Sequence, residues 1–324
     1  MAHKYLFGVA IALLSPLVAA EPACRHAPAV QAALTRLEGA MAHGRFVAYE
    51  PTSLRVVDGR VHPADAASIR ADLEALRPHF DALITYDAVH GAEAIPAVAA
   101  TLGFRALVVG VWDPADGAQL EAALEAARRY PALVVGLALG NERILARRTD
   151  FATLATAVAR AHARVPALPL STSEPFHIYE QQAAAALLAR LDFLLVNVHP
   201  LFQPWFRGAP DATSAQFVVN VTDDLAARYC GPILVKETGL PSAPADAGFS
   251  PARQASFYRE LRQRFPAGAA RAFAYFSAFD APWRAWDANP VAAALGRAHP
   301  EEASFGLYDS ERRPKPAASE LPPL

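Results

Sequence analysis

The chain reads as a single (β/α)8 TIM barrel of the α/β class, and three observations predict it. Strand-like and helix-like segments alternate from about Phe46 to the end, the strand candidates number eight, and most are continuous apolar runs. Parallel strands buried on both faces have that character. The rival, an open doubly wound sheet, needs a glycine-rich phosphate turn after its first strand, and Glu50-Pro51-Thr52-Ser53 is not one. With 324 residues, 53% hydrophobic and 19% charged, the chain has ample core for one barrel, a fold that typically runs to about 250 residues.

In order, Phe46–Glu50 is the first strand and Ala64–Leu76 the first barrel helix, apolar at helical spacing. Strands Ala82–Tyr86 and Arg105–Trp112 bracket a helix over Ala92–Leu102. Asp113-Pro114 is a helix-start signal ahead of Ala115–Arg129, and Thr149-Asp150 another ahead of Phe151–Ala163, with strand Leu133–Asn141 between these helices. Strand Leu168–Ser173, helix Ile178–Leu191 and strand Phe193–His199 follow. The longest helix-poor insert, Pro200–Thr213, carries Phe202, Trp205 and Phe206. Helix Ser214–Tyr229, strand Pro232–Thr238, helix Pro251–Arg264 (opened by Ser250-Pro251) and strand Ala272–Phe279 complete the barrel. From Asp309 the chain is polar and Pro-rich, and is expected on the surface or disordered.

The N-terminus has the form of a secretory signal: His3 and Lys4, an apolar stretch from Leu6 to Val18, then Val18-Ala19-Ala20 before Glu21. An uncleaved anchor is the alternative, but the stretch is shorter than the ~20 residues a spanning helix needs. The expected organisation is a signal at 1–20, a lead-in at 21–45, a catalytic barrel at 46–308 and a tail at 309–324. An exported, periplasmic or secreted protein follows, with no membrane span once the signal is cleaved. Cys24 and Cys230 are the two cysteines; in an oxidising compartment they either pair or remain thiols. A net charge of −2 and the lack of a basic run interleaved with aromatics speak against a nucleic-acid partner.

Function in this fold sits at the C-terminal ends of the strands. Those ends hold Tyr49-Glu50, Tyr86-Asp87, Trp112-Asp113, Asn141-Glu142, Ser173-Glu174, Asn197 with His199, Glu237, and Phe279-Asp280. Carboxylates, amides and aromatic faces are what a sugar needs. Glu142 and Glu237 end the fourth and seventh strands, which face each other across a closed barrel. Two carboxyl groups so delivered can serve as acid/base and nucleophile of a retaining glycosidase, which needs them about 5–5.5 Å apart. Such a site needs no cofactor and no metal.

Val235-Lys236-Glu237-Thr238-Gly239-Leu240-Pro241-Ser242 and Gly140-Asn141-Glu142 carry a resemblance to glycoside hydrolase family 17, the β-1,3-glucanase and glucanosyltransferase family. Asn197-Val198-His199-Pro200, Phe279-Asp280-Ala281-Pro282-Trp283-Arg284 and Glu302-Ala303-Ser304-Phe305-Gly306-Leu307-Tyr308 are similar to further motifs of that family. The likeness spans about Phe46 to Tyr308. It implies Glu237 as nucleophile and Glu142 as general acid/base, acting on β-glucan or its oligosaccharides. Leu240 stands where the family has Trp, and Arg284 where relatives often have Lys. Together with few long insertions, these departures resemble the bacterial branch, some of whose members transfer glucan segments instead of hydrolysing them.

Beside the pair, Asn141 is an amide able to hydrogen-bond a sugar hydroxyl next to the reacting carbon, and Tyr86 and Asn197 either contact the reacting sugar or pack the rim. His199 is placed on the nucleophile, on a sugar hydroxyl or in a structural role, and Phe202, Trp205, Trp283 and Trp286 are stacking platforms or packing groups. Arg284 and Glu302 join the cleft through their motifs, and Glu174 is a further candidate. Lys236 is read as structural, because alternation along a strand would turn it away from the cleft if Glu237 points in. A monomer is expected.

Overall fold

A computed structural model describes residues 27–57, 60–285 and 299–324. Its strands are β1 (Phe46–Ala48), β2 (Arg55–Val57), β3 (Arg60–His62), β4 (Ala82–Ile84), β5 (Ala106–Val111), β6 (Val134–Asn141), β7 (Leu170–Pro175), β8 (Leu194–Asn197), β9 (Ile233–Thr238) and β10 (Arg271–Tyr275). All but β2 and β3 form a closed parallel barrel in which each strand pairs with the next and β10 returns to β1, Phe46 lying opposite Ala274. β2 and β3 make a separate antiparallel hairpin, in a stretch for which the sequence predicts no element. It is largely exposed.

The helices are α1 (Gln31–His43), α2 (Ala66–Leu76), α3 (Ile95–Thr101), α4 (Gly117–Arg129), α5 (Phe151–Arg164), α6 (Phe176–Tyr179), α7 (Ala185–Leu188), α8 (Asp211–Ala226), α9 (Pro251–Arg264) and α10 (Pro316–Ser319). Their starts are chemical. Asp65 accepts from Ser68 N at 2.8 Å, Asp150 from Thr153 N at 2.7 Å and Ser250 from Arg253 N at 3.1 Å ahead of Pro251. Such caps contribute about 1 kcal/mol each. Ahead of α4 the cap is Asp116, three residues past the expected Asp113, whose side chain closes a turn on Ala115 N instead.

Alternation along the strands divides the core. Ala82, Ile84, Ala106, Val108, Leu195 and Leu234 fill the barrel, while Leu83, Leu107, Val109, Val196 and Val235 pack under the helices. The expected lead-in is itself structured: α1 sends Leu34, Leu37, Ala40 and Met41 into the inner cluster and packs against β6 and β10. Each such Leu or Met contributes about 1.5–3 kcal/mol relative to exposure.

Two expectations are corrected. Ile178–Leu191 is not one helix: Gln181, extended at ψ 139°, breaks it into α6, a short 3₁₀ turn and α7, while the Tyr179 hydroxyl is tied to the Thr172 and Leu195 carbonyls. The tail after Asp309 is neither loose nor merely superficial. Ala317, Ala318 and Leu321 are buried, and Arg312 Nε lies 2.8 Å from the fully buried Asp72 carboxylate. Composition misled there because a few well-placed apolar and basic residues hold a segment that is polar on average. The expected signal at 1–20 and Cys24 lie outside the described residues. Cys230 is disulfide-bonded.

Candidate active site

Both strands that carry the glutamates are bulged just before them. On β9, Val196 pairs with Val235 but Asn197 with Glu237, and Phe273 pairs with Val235 but Tyr275 with Thr238. Both neighbours therefore find one extra residue in β9. Leu234 faces the barrel and Val235 the helices, so alternation sends Lys236 inward; the bulge turns Glu237 inward as well. The expectation that Lys236 faces away is thus wrong, since it assumed a regular strand. On β6, Ala138 pairs with Ser171 and Asn141 with Ser173, an extra residue accommodated by Gly140 at φ 94°.

Glu142 follows at φ 51°, a left-handed conformation unusual for a residue with a side chain. The next strand holds it there. Glu142 N donates to Ser173 O at 2.8 Å, and the buried Glu174 carboxylate accepts from Ile144 N at 2.7 Å and Leu145 N at 3.2 Å. Glu174 therefore supports the turn rather than lining the cleft. Burial pushes its carboxyl up to about 7, against the backbone N–H groups that favour the charge.

The Glu142 side chain sits in a lean environment. Asn197 Nδ2 donates to Glu142 Oε1 at 2.8 Å, and Ser173 Oγ donates to Asn197 Oδ1 at 3.0 Å, which fixes the amide's orientation. Burial, then the neighbouring Glu237 charge, raise the Glu142 carboxyl to about 7. Glu237 is buried too, and burial opposes its charge. That effect is outweighed by the Lys236 ammonium 3.0 Å from Oε1 and by His199, whose Nε2 is 3.4 Å from Oε2, so Glu237 is held down at about 2. One carboxyl is thus kept as acid and the other as anion.

Around them, Lys236 Nζ also donates to Asn141 Oδ1 and stands 4.1 Å above the Tyr86 ring. The Tyr86 hydroxyl is buried without a hydrogen-bond partner. His199 is ringed by Phe202, Phe276 and Phe305, at centroid distances of 5.8, 5.2 and 5.7 Å. Phe202 is 51% exposed and its ring also meets His299. Arg284 Nη2 pairs with Glu50 Oε2 at 2.9 Å and lies near the faces of Tyr86 and Trp283. Glu302 is within the field of Arg284, His199 and Glu237; burial raises its carboxyl, with the first two acting against.

Of the expected site residues, Glu142, Glu237, Tyr86, Asn141, Asn197, His199, Phe202, Trp283, Arg284 and Glu302 gather around one strand-end face. Trp205 instead leans on Phe217 of α8, and Trp286 lies outside the described residues. Among the described residues no acidic, histidine or cysteine cluster could hold a metal. A cavity of about 920 Å³ lined by His162, Asp192, Tyr229 and Cys230 lies elsewhere, beside the starts of β8 and β9.

Sequence reasoning passed over three groups. Ser173 and Glu50 were visible as strand-end residues but had no role. Lys315, beyond the last motif, gave no signal: its Nζ bonds Asp280 Oδ1 at 2.6 Å and Ser242 Oγ at 2.8 Å, tying the tail to two site motifs. In the same knot Gly306 N donates to Asp280 Oδ1 at 2.9 Å, and a Cβ at Gly306 would fall 2.1 Å from Asp280 N.

A barrel with this paired-carboxylate face is the architecture of glycoside hydrolases. Residues 47–295 match the BtgE/BtgC glycoside hydrolase domain, and the chain belongs to that family of glycoside hydrolases. Its fold is shared with an active-site mutant of the Rhizomucor miehei β-1,3-glucanosyltransferase in complex with laminaritriose (TM-score 0.61, 20% identity, 84% of this chain and 96% of that one). It is shared with an endo-laminarinase from Formosa Hel1_33_131 (0.64, 18%, 82% and 83%) and with CJP38, a β-1,3-glucanase and allergen of Cryptomeria japonica pollen (0.58, 15%, 84% and 97%). No curated protein sequence matches the chain.

Proposed function

We propose that this domain is a retaining glycosidase of β-1,3-linked glucan or its oligosaccharides, with Glu237 as nucleophile and Glu142 as general acid/base. The observation that carries the reading is the pair of buried glutamates at the fourth and seventh strand ends with opposed neighbours. Glu142 faces the Asn197 amide and a neighbouring anion, and burial with that anion holds its proton, while Glu237 faces the Lys236 ammonium and His199, which hold its charge. In the first step the Glu237 carboxylate attacks the anomeric carbon as the glycosidic C–O bond breaks, and Glu142 gives its proton to the departing oxygen. Glu142, now ionised, takes a proton from the incoming hydroxyl, which displaces Glu237 and restores both groups. Two inversions retain the configuration. Asn197 fixes the acid, and Tyr86, Asn141, His199, Phe202, Trp283, Arg284 and Glu302 form the surrounding sugar site.

The β-1,3 linkage is supported by the motif resemblance and by the names of the three similar structures. Transfer to a sugar acceptor is the second reading, favoured by the half-exposed Phe202 ring, an apolar platform beside His199 on which an acceptor can stack. The domain works as a monomer without cofactor, outside the cytoplasm, once the first 20 residues are removed. Among the described residues, no helix is long and apolar enough to cross a membrane.

Mass spectrometry of products from β-1,3-gluco-oligosaccharides, with Glu237→Ala as control, tests this. Shorter products alone support hydrolysis; products longer than the substrate support transfer. A folded wild-type protein that leaves every such oligosaccharide intact overturns the linkage assignment and turns attention to β-1,4 and β-1,6 glucans, or to a sugar-binding role without catalysis.

A further inference from the structure

Lys236 is the most deeply buried cation of the site, its side chain 1% exposed, and it sits one residue before the proposed nucleophile. An ammonium offers three N–H donors and no acceptor. One goes to Glu237 Oε1 at 3.0 Å and one to Asn141 Oδ1, while the charge rests 4.1 Å above the Tyr86 ring. The Asn141 contact has a directional consequence. Because Lys236 can only donate, the amide must turn its oxygen toward Nζ, which leaves Nδ2 as the end free to meet a ligand. Glu142 is the next residue, so that N–H₂ group stands beside the reacting centre.

We propose that Lys236 is a positioning residue of the glycosidic reaction: its single ammonium anchors the Glu237 carboxylate and sets the Asn141 amide so that Nδ2 donates to the sugar hydroxyl adjoining the anomeric carbon. This rests on the retaining reading of the site. A purely structural ion pair would register as lost stability when one partner is removed, without changing how the rate depends on the 2-hydroxyl of the reacting sugar. The bulge in β9 supports the positioning role, for it spends a residue of register to bring Lys236 and Glu237 to the same side of the strand. The groups that face Glu237 are Lys236, His199, Glu142, Tyr86, Arg284 and Glu302, so a change on removing Lys236 is read against five constant neighbours.

The test compares wild type, Lys236→Met and Lys236→Arg. Each is assayed for kcat/KM against pH on an aryl β-glucoside-terminated β-1,3-oligosaccharide and on its counterpart lacking the 2-hydroxyl of the reacting sugar. In wild type, loss of that hydroxyl is expected to lower kcat/KM by about tenfold or more. In Lys236→Met the acid limb moves to higher pH and the 2-hydroxyl penalty shrinks towards one, because Asn141 is no longer set. Lys236→Arg keeps the acid limb low. An Lys236→Met protein that melts like wild type, with the same acid limb and the same 2-hydroxyl penalty, overturns the proposal. If Lys236→Met does not fold, the Arg variant decides: an acid limb displaced from the wild-type position overturns it. A carboxyl ¹³C titration of Glu237 in the proteins without substrate reads the anchoring directly. Wild-type inactivity would therefore sink the functional reading while leaving this arm to judge Lys236.

Discussion

The same side chain stands at the ends of β6 and β9, and the two surroundings differ in one respect: what faces the carboxyl once water is gone. Glu142 meets an amide donor and a neighbouring anion, and its proton is retained to about 7. Glu237 meets an ammonium and an imidazole and is held near 2. Burial acts on both in the same sense and so cannot distinguish them. The difference is carried by Lys236 and His199, and it shows that a division of labour between acid and nucleophile is built from the immediate neighbours of each carboxyl.

The comparison breaks most visibly if either glutamate is dispensable. Glu237→Ala is expected to cut turnover of a β-1,3-oligosaccharide by about 10³-fold or more, measured as kcat on purified folded protein. Wild-type-like turnover would remove Glu237 from the reaction. Glu142→Gln is expected to cost about 10²–10⁴-fold on a natural glycoside but far less on an aryl glycoside whose leaving group departs without a proton. Equal losses on both substrates would contradict the assignment of Glu142 as acid.

The pH profile sharpens the contrast. Glu142 must be protonated for the first step and Glu237 ionised, so kcat/KM should fall as pH rises through about 7 and as it falls towards about 2. The upper limb should vanish in Glu142→Gln. A smaller shift is expected in Asn197→Ala: its N–H favours the ionised form of Glu142, so removing it moves the upper limb to higher pH. An upper limb that moves down would reverse the assigned effect of that hydrogen bond.

The smallest effect on chemistry should come from Lys315→Met, whose ammonium reaches the site only indirectly, through Ser242 in the segment after Glu237 and through Asp280. It leaves Asp280 without its cation and should lower stability by about 1–3 kcal/mol in chemical denaturation, with a modest change in kcat.

Much of this was legible in the chain. The apolar runs ending in Asn141-Glu142 and at Glu237 place both carboxyls at strand ends because a barrel interior tolerates such groups only at its rim. What the sequence did not disclose is register. Nothing in Leu234-Val235-Lys236-Glu237 marks a bulge, so alternation turned Lys236 the wrong way; on β6 Gly140 was the visible sign and went unread. The hairpin β2–β3 and helix α1 escaped for a different reason, being short or weakly patterned elements whose form depends on the barrel beside them. Arg312 and Lys315 in the tail find their partners, Asp72 and Asp280, only through tertiary contact.

The most direct measurement is to incubate the protein with a 2-deoxy-2-fluoro β-1,3-glucosyl fluoride, which slows breakdown of a glycosyl-enzyme, and to map the modified peptide by mass spectrometry. The expected result is one sugar per chain, carried by Glu237. A label on Glu142 or another residue, or a turned-over substrate with inverted product and no label, would contradict the division of roles between the two glutamates.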